Sequence, residues 1–260
     1  MAADADTNNL NAPVPAAKNG GTFREGLEDG LAIGLGYLSV SFSFGILAVS
    51  TGLSWWQAVL VSLTNVTSAG QVAGVGIMSA SGGLIEMMVA QLVINLRYSL
   101  MAISLSQKTD KSMNTGKRAL LAYGLTDEIF GVAVSKDHEV GSKYFFGLTI
   151  LPVLGWVLGT LLGAILGGVF PDFLTNAMAV GIYGMFISIV VPKTKKSRRI
   201  AVCALIACAL SCLFFYVPWL KEHVSSGFAT IISAVIAALA GVFFFENDDE
   251  ASENGKEALS

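Results

Sequence analysis

Residues 90–105 read AQLVINLRYSLMAISL, a long apolar run that carries one cation, Arg97, between Asn95 and Tyr98. A charge in hydrocarbon costs about 2.5–3.5 kcal/mol or more, so such a residue usually faces the protein interior or a water-filled cavity and has a partner. Three more polar residues stand in neighbouring apolar stretches: Gln71, Asp127 and Glu128. The combination predicts a polar site inside a membrane protein.

The composition of the chain supports a membrane location. Its 260 residues are 53% hydrophobic and only 13% charged, whereas soluble domains carry about 25% charged residues. Asp172 is the only Asp, Glu, Lys, Arg or His between residues 144 and 192. A bilayer span needs about 20 apolar residues. The fold class is therefore predicted to be all-α, a polytopic integral membrane helical bundle of six to eight segments, one or two of them broken or re-entrant.

The apolar segments divide the chain into one membrane domain and two tails. The tails are a polar stretch at 1–22, expected to be disordered, and an acidic, solvated stretch at 246–260. Between them, residues 23–245 form the transmembrane domain. Its segments are expected at 27–50, 55–80, 84–105, 119–135, 144–169, 173–191, 200–220 and 224–245.

The basic residues bear on topology, because cytoplasmic loops are enriched in Lys and Arg. Eight simple crossings from an inside N-terminus would place two basic clusters, at 108–118 and 193–199, on the outside. If the second and fourth segments are re-entrant, both clusters, both termini, Lys136 and Lys143 all lie in the cytoplasm. These two segments also hold the most polar residues. A seven-span arrangement with one broken segment is the alternative.

Arg97 and Asn95 are candidates for binding or gating. A guanidinium can grip a carboxylate bidentately, so Arg97 is expected to meet the carboxylate of a substrate. Two alternatives remain open: an internal ion pair with Asp127 or Glu128, or a side chain that snorkels to the cytoplasmic end, since Lys108 follows only eleven residues later.

Asp127 and Glu128 are adjacent, so on a helix their side chains point about 100° apart and do not form one paired site. One is expected to pair with Arg97, and the other to bond backbone or carry a proton, because burial favours the protonated carboxyl. The alternative is an amphipathic helix in the cytoplasm with both acids solvated.

The second segment is interrupted by small and polar residues. Broken helices expose backbone groups that can hold an ammonium, a carboxylate or an ion. Ordinary hydrogen bonding between helices is an equally good interpretation of such residues. The candidates here are Asn65, Gly70 and Gln71.

Several function classes lack their motifs in this chain. The cysteines at 203, 208 and 212 have neither CxxC nor metal-site spacing, and the two histidines have no ligand-spaced partners. The net charge of −3, with no basic array, argues against nucleic acid binding. There is no HExxH, GxSxG or GxxxxGK[ST] pattern. We therefore expect no metal, no cofactor, no enzymatic activity and no direct use of ATP.

Three motifs together resemble the AzlC-type permeases, the large subunit of a two-component exporter of branched-chain amino acids. They are Ser68–Gln71, NLRY at 95–98 and TDEIF at 126–130. The resemblance covers about residues 24–245. Two departures stand out: serines occupy positions 39 and 41, where the family usually has Pro and Gly, and the family's GAxQ reads SAGQ here.

The resemblance implies a secondary active permease in the bacterial plasma (inner) membrane, with a small AzlD-type membrane subunit as partner. Valine, leucine, isoleucine or methionine would be the substrate, and H⁺ the coupling ion. Our own hypothesis for the mechanism assigns the roles. Substrate binding or gating is expected of Asn65, Gly70, Gln71, Asn95 and Arg97, coupling or ammonium binding of Asp127 and Glu128, and an apolar pocket of Phe42, Phe44 or nearby small residues. The competing hypotheses are a scaffold subunit for another small zwitterion and a membrane-embedded enzyme.

Overall fold

A computed structural model describes residues 20–167 and 180–245, together with 169, 171 and 173. Over these residues the chain is all-α, apart from an isolated bridge between Thr109 and Val140. Both predicted tails and the start of the segment expected at 173–191 lie largely or wholly outside the described residues. The helices are α1 Phe23–Ser50, α2 Trp55–Thr64, α3 Ser68–Ser79, α4 Leu84–Ser106, α5 Thr115–Ala122, α6 Asp127–Ser135, α7 Ser142–Leu166, α8 Gly181–Lys196, α9 Arg198–Tyr216, α10 Pro218–His223 and α11 Ser226–Phe245.

The long helices have the length and composition of membrane spans. In the described part of the chain, α1, α4, α7 and α9 are long and apolar enough to cross a bilayer. Helix α11 is apolar as well, and its 20 residues correspond to about 30 Å at 1.5 Å per residue. The predicted all-α membrane bundle is confirmed.

Helices α1 and α7 pack against each other in parallel, with glycines between them. Gly26 faces the backbone of Tyr144 and Leu148, and Gly45 faces that of Thr160 and Ala164. A side chain at Gly26 or Gly45 would collide with these backbones, so the glycines allow the close approach that stabilises membrane helices. Because contacts advance in step along both helices, α1 and α7 begin at the same end of the bundle. We call this the proximal end, and the opposite one the distal end.

The second apolar segment is a re-entrant hairpin that enters and leaves at the distal end. Its helix stops at Thr64, and α3 begins at Ser68. Ala58 of α2 and Val75 of α3 belong to the same apolar cluster, which also contains Ala48 near the end of α1. The chain therefore turns back between them.

The fourth segment is also re-entrant, but from the proximal end. Near its start, the Arg118 guanidinium donates to Thr109, just beyond the end of α4 (2.8 Å). After α6 the chain is back at the same level, where the Lys108 ammonium donates to the carbonyls of Val134 and Lys136. Both expected breaks are thus observed, and the arrangement with one broken segment is wrong.

The break in the fourth segment determines the position of the two acids. Asp127 and Glu128 stand at the middle of the expected segment 119–135, and because the chain breaks just before them, at residues 123–126, they form the first turn of α6. The cause is local: the Thr126 hydroxyl caps α6 by accepting from the Ile129 amide (3.5 Å), and this competes with a continuous helix.

The directions of the helices place both basic loops at the same end of the bundle. Glu86, in the first turn of α4, accepts hydrogen bonds from the Ser225 hydroxyl (2.5 Å) and the Gly227 amide (2.8 Å). Helices α4 and α11 therefore both start at the distal end. It follows that the loops around 108–118 and 193–199 lie at the proximal end, together with the start of α1, as the charge pattern predicted.

The first six helices form two units of opposite direction. In the first unit, α1 runs to the distal end and is followed by the hairpin α2–α3, which enters there. In the second unit, α4 runs to the proximal end and is followed by α5–α6, which enters there. This is the arrangement of an inverted-topology repeat, in which binding sites occur where the broken helices meet.

Candidate functional site

The tips of the two hairpins meet near the middle of α1 and α7. The Tyr123 hydroxyl, in the α5–α6 break, donates to the carbonyl of Leu63 at the end of α2 (2.5 Å). Beside this contact lies a small enclosed space, which we call the junction. Its walls are Tyr37, Val66, Ser68, Tyr98, Thr126, Asp127, Glu128 and Trp156.

The junction is closed to solutes in this conformation. Its volume is about 20 Å³, which is room for about one water molecule. Valine and leucine are much larger than water, so one or both hairpins must move before an amino acid could enter. A few loop residues absorb such movements, so the breaks at residues 65–67 and 123–126 would be the hinges if the hairpins move.

Arg97 pairs with Asp127 at the junction (Nη1 to Oδ2, 2.7 Å). Its Nη2 also donates to the Tyr98 hydroxyl (3.1 Å), and the guanidinium lies 4.9 Å from the centre of that ring. Arg97 stands nine residues before the end of α4, or about 14 Å along the axis. The ion pair is therefore the observed arrangement, and snorkelling to the proximal end is not. The Arg97 side chain is 42% exposed and that of Asp127 29%, so the pair opens towards the surface of the chain.

Glu128 has a different environment from its neighbour. The Tyr37 hydroxyl lies 2.5 Å from Glu128 Oε2 and 2.6 Å from Thr126 Oγ1. A phenol has one proton, so if Tyr37 donates to the carboxylate, the Thr126 hydroxyl donates to Tyr37. In the described part of the chain, Glu128 forms no ion pair. Glu128 lies in the first turn of α6, where the helix N-terminus favours a carboxylate.

Gln71 lies behind the junction wall and not in it. It is 1% exposed; its amide donates to Ser62 (2.9 Å) and its carbonyl accepts from the Trp156 indole (2.8 Å). Trp156 in turn meets the Tyr37 ring edge-on at 5.3 Å. The network fixes Trp156 against the junction, and any substrate contact by Gln71 would have to break one of these bonds.

The other predicted residues of the second and third segments form a polar strip along α3 and α4. Asn65 lies in the α2–α3 break, where its side-chain oxygen Oδ1 accepts a hydrogen bond from the Thr67 hydroxyl (2.6 Å). Gln91 donates to the Gly70 carbonyl (2.8 Å) and accepts from Asn95 Nδ2 (3.0 Å). The strip continues towards the junction, because Tyr98 follows Asn95 by one helical turn.

Some junction residues were not predicted from the sequence. Tyr37 and Thr126 attract no attention as single polar residues, and Trp156 fits an aromatic belt by residue type. Its position near the middle of α7 was the available signal against a belt. Phe44, expected near a pocket, packs instead in the apolar cluster with Ala48.

A second charged cluster lies at the proximal end, where α6 ends. Its central ion pair joins Lys136 to Asp29 (2.7 Å), with Glu25 at 3.6 Å. The Tyr144 hydroxyl also donates to Asp29 (2.7 Å). The hydrogen bond to Asp29 raises the pKa of the Lys136 ammonium. We call this group the proximal cluster: Glu25, Asp29, Lys136, His138 and Tyr144.

The geometry of the proximal cluster favours a protonated histidine. His138 Nδ1 faces the Glu139 carbonyl (2.7 Å) and Nε2 faces a Glu25 carboxylate oxygen (3.0 Å). A neutral imidazole has one N–H and can satisfy only one of these acceptors. The Glu139 carbonyl, followed by Glu25, accordingly raises the pKa of His138 above its ordinary 6.5.

The comparisons with known proteins agree with this architecture. A family model described as "AzlC protein" matches residues 32–170, more than half of the chain, and the chain therefore belongs to the AzlC family. No solved structure matches it.

The curated relatives carry membrane-protein names. The chain is 28% identical over 153 residues to the inner membrane protein YgaZ of Escherichia coli strain K12, covering 57% of this chain and 62% of YgaZ. It is 31% identical over 135 residues to an uncharacterized membrane protein of Archaeoglobus fulgidus, covering 52% and 58%. It is 26% identical over 227 residues to one of Helicobacter pylori strain J99, covering 85% and 94%. The aligned part thus spans about three fifths of the first two relatives. This chain is a membrane protein.

Proposed function

From membership of the AzlC family and the geometry of the junction, we propose that this chain is the transport subunit of a secondary active exporter of branched-chain amino acids. Valine, leucine and isoleucine are the expected substrates, and methionine a further candidate. The observation that carries the proposal is the meeting of two broken helices, with charged side chains, halfway along the spanning helices.

The junction offers complementary groups for a zwitterion. Ser68 and Asp127 are the first residues of α3 and α6, so two helix N-termini, with their free amides and positive dipole ends, face the space. Together with Arg97 they favour a carboxylate. Asp127 and Glu128 favour an ammonium group. The rings of Tyr37, Tyr98 and Trp156 provide apolar surface for a side chain.

Glu128 is the better candidate to carry a coupling proton. Asp127 has its charge balanced by Arg97, whereas Glu128 is held by the Tyr37 hydroxyl, and a hydroxyl can bond either protonation state of a carboxyl. A proton gained or lost at Glu128 therefore leaves the ion pair intact. We assign H⁺ as the coupling ion on this basis.

Partner and orientation complete the proposal. The positive-inside rule assigns the basic proximal end, with both termini, to the cytoplasmic side of the bacterial plasma membrane. The half-exposed Arg97–Asp127 pair and the apolar outer face of α4, which includes Leu92, Leu96 and Leu100, suit contact with a small membrane subunit of the AzlD type.

Efflux from loaded cells tests the proposal. Cells would be loaded with labelled valine, leucine, isoleucine or methionine and would express this chain, its small membrane neighbour, or both. Faster efflux that requires both proteins is the expected result. Unchanged efflux of all four, with both proteins present in the membrane, would redirect the search to other small zwitterions, since the departures at Ser39 and Ser41 lie on α1 close to Tyr37.

Two competing functions give different outcomes in the same assay. A scaffold subunit predicts that the neighbour alone transports once it is folded in proteoliposomes. A membrane-embedded enzyme predicts a chemically changed solute, which chromatography of the released label would show.

A further inference from the structure

A large cavity lies at the distal end, away from the junction. Its volume is about 500 Å³, within the range of about 300–1,000 Å³ that is usual for ligand pockets. Four parts of the chain form its wall: the turn between α3 and α4, the end of α9, the helix α10, and the start of α11. We call it the distal cavity.

The distal cavity lies at the level of the membrane interface. Helix α9 ends at Tyr216 and α10 follows at once with Trp219, and both aromatic side chains are largely exposed. Exposed Tyr and Trp at the ends of spanning helices mark the boundary between hydrocarbon and water. The wall reaches down to Thr230, four residues after the start of α11 at Ser226, or about 6 Å deeper. The cavity therefore lies where lipid head groups meet their acyl chains.

The wall of the distal cavity carries a positive charge. Among the described residues of the wall, Lys221 is the only charged side chain. Its ammonium lies 4.9 Å from the centre of the Phe215 ring and forms no ion pair with any described residue. Glu86 lies behind the wall, where its carboxylate accepts from the Ser225 hydroxyl and the Gly227 amide. The N–H donors of Lys221 are therefore available to an anion.

Much of the remaining wall is apolar, with Phe214, Val224 and Ala229 among its residues. The Thr230 hydroxyl has already donated its proton to the Ser226 carbonyl (2.9 Å). A ligand thus meets one cation, a largely apolar surface and, in the described wall, no carboxylate for an ammonium group. This combination favours an amphiphile with an anionic head over a free amino acid.

We propose that the distal cavity binds an anionic phospholipid of the distal leaflet, with its phosphate at Lys221 and one acyl chain between Phe214 and Ala229. The apolar wall and the interfacial level favour a lipid over dissolved phosphate, because a free anion would leave the apolar surface uncovered. The bound lipid joins the end of α9 to the turn between α3 and α4, which the cavity separates. The site is independent of the junction and of the proposed export.

Thermal unfolding of the purified full chain in dodecyl maltoside tests the site, because a ligand that binds only the native chain stabilises it. The probes are phosphatidylglycerol, phosphatidylcholine with the same acyl chains, and glycerol 3-phosphate, which is an anionic head group alone. Lys221→Met removes the charge and keeps an apolar side chain, and Ala229→Phe narrows the cavity. Lys111→Met, at an exposed lysine of the proximal end, is the control for the loss of one positive charge.

Phosphatidylglycerol should raise the unfolding temperature of the native chain. Its half-saturating concentration should be about fivefold higher in Lys221→Met, the factor that one lysine contributes at an anionic membrane surface. It should be at least tenfold higher in Ala229→Phe, where the acyl chain loses its space, and unchanged in Lys111→Met. If Ala229→Phe does not fold, Lys221→Met and its control decide.

Three results would overturn the lipid site. Equal stabilisation by phosphatidylcholine, undiminished in Lys221→Met, would show that the charge plays no part. Stabilisation by glycerol 3-phosphate at the same concentration as phosphatidylglycerol would identify a site for a free anion. An equal loss in Lys221→Met and Lys111→Met would show a general attraction between the basic chain and a negatively charged micelle.

Discussion

The two ends of α6 lie in charged groups that differ in their balance of positive and negative side chains. At its start, in the junction, one cation faces two carboxylates, those of Asp127 and Glu128, near the middle of the spanning helices. At its end, in the proximal cluster, two cations face two carboxylates beside the basic loops. The proximal cluster is balanced when His138 is protonated, and the junction lacks one positive charge.

This difference fits a structural role for the proximal cluster and the proposed transport role for the junction. An unbalanced carboxylate in the membrane is costly and needs a reason, whereas a balanced cluster at the interface ties helices together. The proximal cluster joins α1, α6 and α7 through Lys136 and Tyr144. The junction is therefore the place where a mobile positive charge, a proton or an ammonium group, would complete the arrangement.

The largest expected effect is that of Glu128→Gln, which removes the unbalanced carboxylate. Proton-driven export should fall about 100-fold, the order lost when a proton-transferring group is removed. Exchange of labelled for unlabelled amino acid across a vesicle membrane should persist, because it needs no net proton movement. Glu128→Asp serves as the matched control and should retain partial export. Full proton-driven export by Glu128→Gln would remove Glu128 from the coupling role.

The second-largest expected effect comes from removing the ion pair between Arg97 and Asp127. Arg97→Met leaves Asp127 unpaired and should cost about 2 kcal/mol of stability, less than the 3–5 kcal/mol of a fully buried pair, because both side chains are partly exposed. The double variant Arg97→Met, Asp127→Leu should recover the lost stability but not export. Thermal unfolding and efflux are measured on the same preparations. Export that recovers together with stability would show that the pair only holds helices.

A smaller effect is expected from Tyr37→Phe. The change removes the one hydroxyl that bonds Glu128 and leaves the ring contact with Trp156. A hydrogen bond to a charged group contributes about 1.5–3 kcal/mol, so the rate of export should fall about tenfold. Thr126→Val, which removes the hydroxyl that bonds Tyr37, is the comparison variant. An unchanged export rate in both would mean that these hydroxyls do not position Glu128 for export.

The smallest effect belongs to His138→Gln in the proximal cluster. The pKa of His138 is raised by folding, so its contribution to stability is fully present below about pH 6.5, the ordinary value for the side chain, and is lost as the pH rises through the folded value. The native chain should therefore exceed the variant in unfolding temperature at pH 5.5 and match it at high pH. His223→Gln, at an exposed ring stacked on Trp219, is the control. A difference that grows with pH would contradict a protonated His138.

Individual residues show which parts of the site could be predicted from the sequence. A cation in an apolar run needs a partner, so the sequence predicted that Arg97 pairs with Asp127 or Glu128. The break around residues 65–67 followed from its polar and small residues, and the re-entrant paths followed from the positions of the basic clusters. Gln71 and Trp156 were different, because their roles depend on a bond between residues 85 positions apart and no local pattern encodes it.

The sequence by itself determined the membrane class, the segments that are broken and the end at which the basic loops gather, because these depend on hydrophobicity and charge along the chain. Only the tertiary structure decided that Glu128 meets Tyr37, that Gln71 turns away from the junction, and that Gln91 bonds both Gly70 and Asn95. These outcomes depend on which helices pack together and at what register. Glycines between α1 and α7 set that packing through contacts between parts of the chain more than a hundred residues apart.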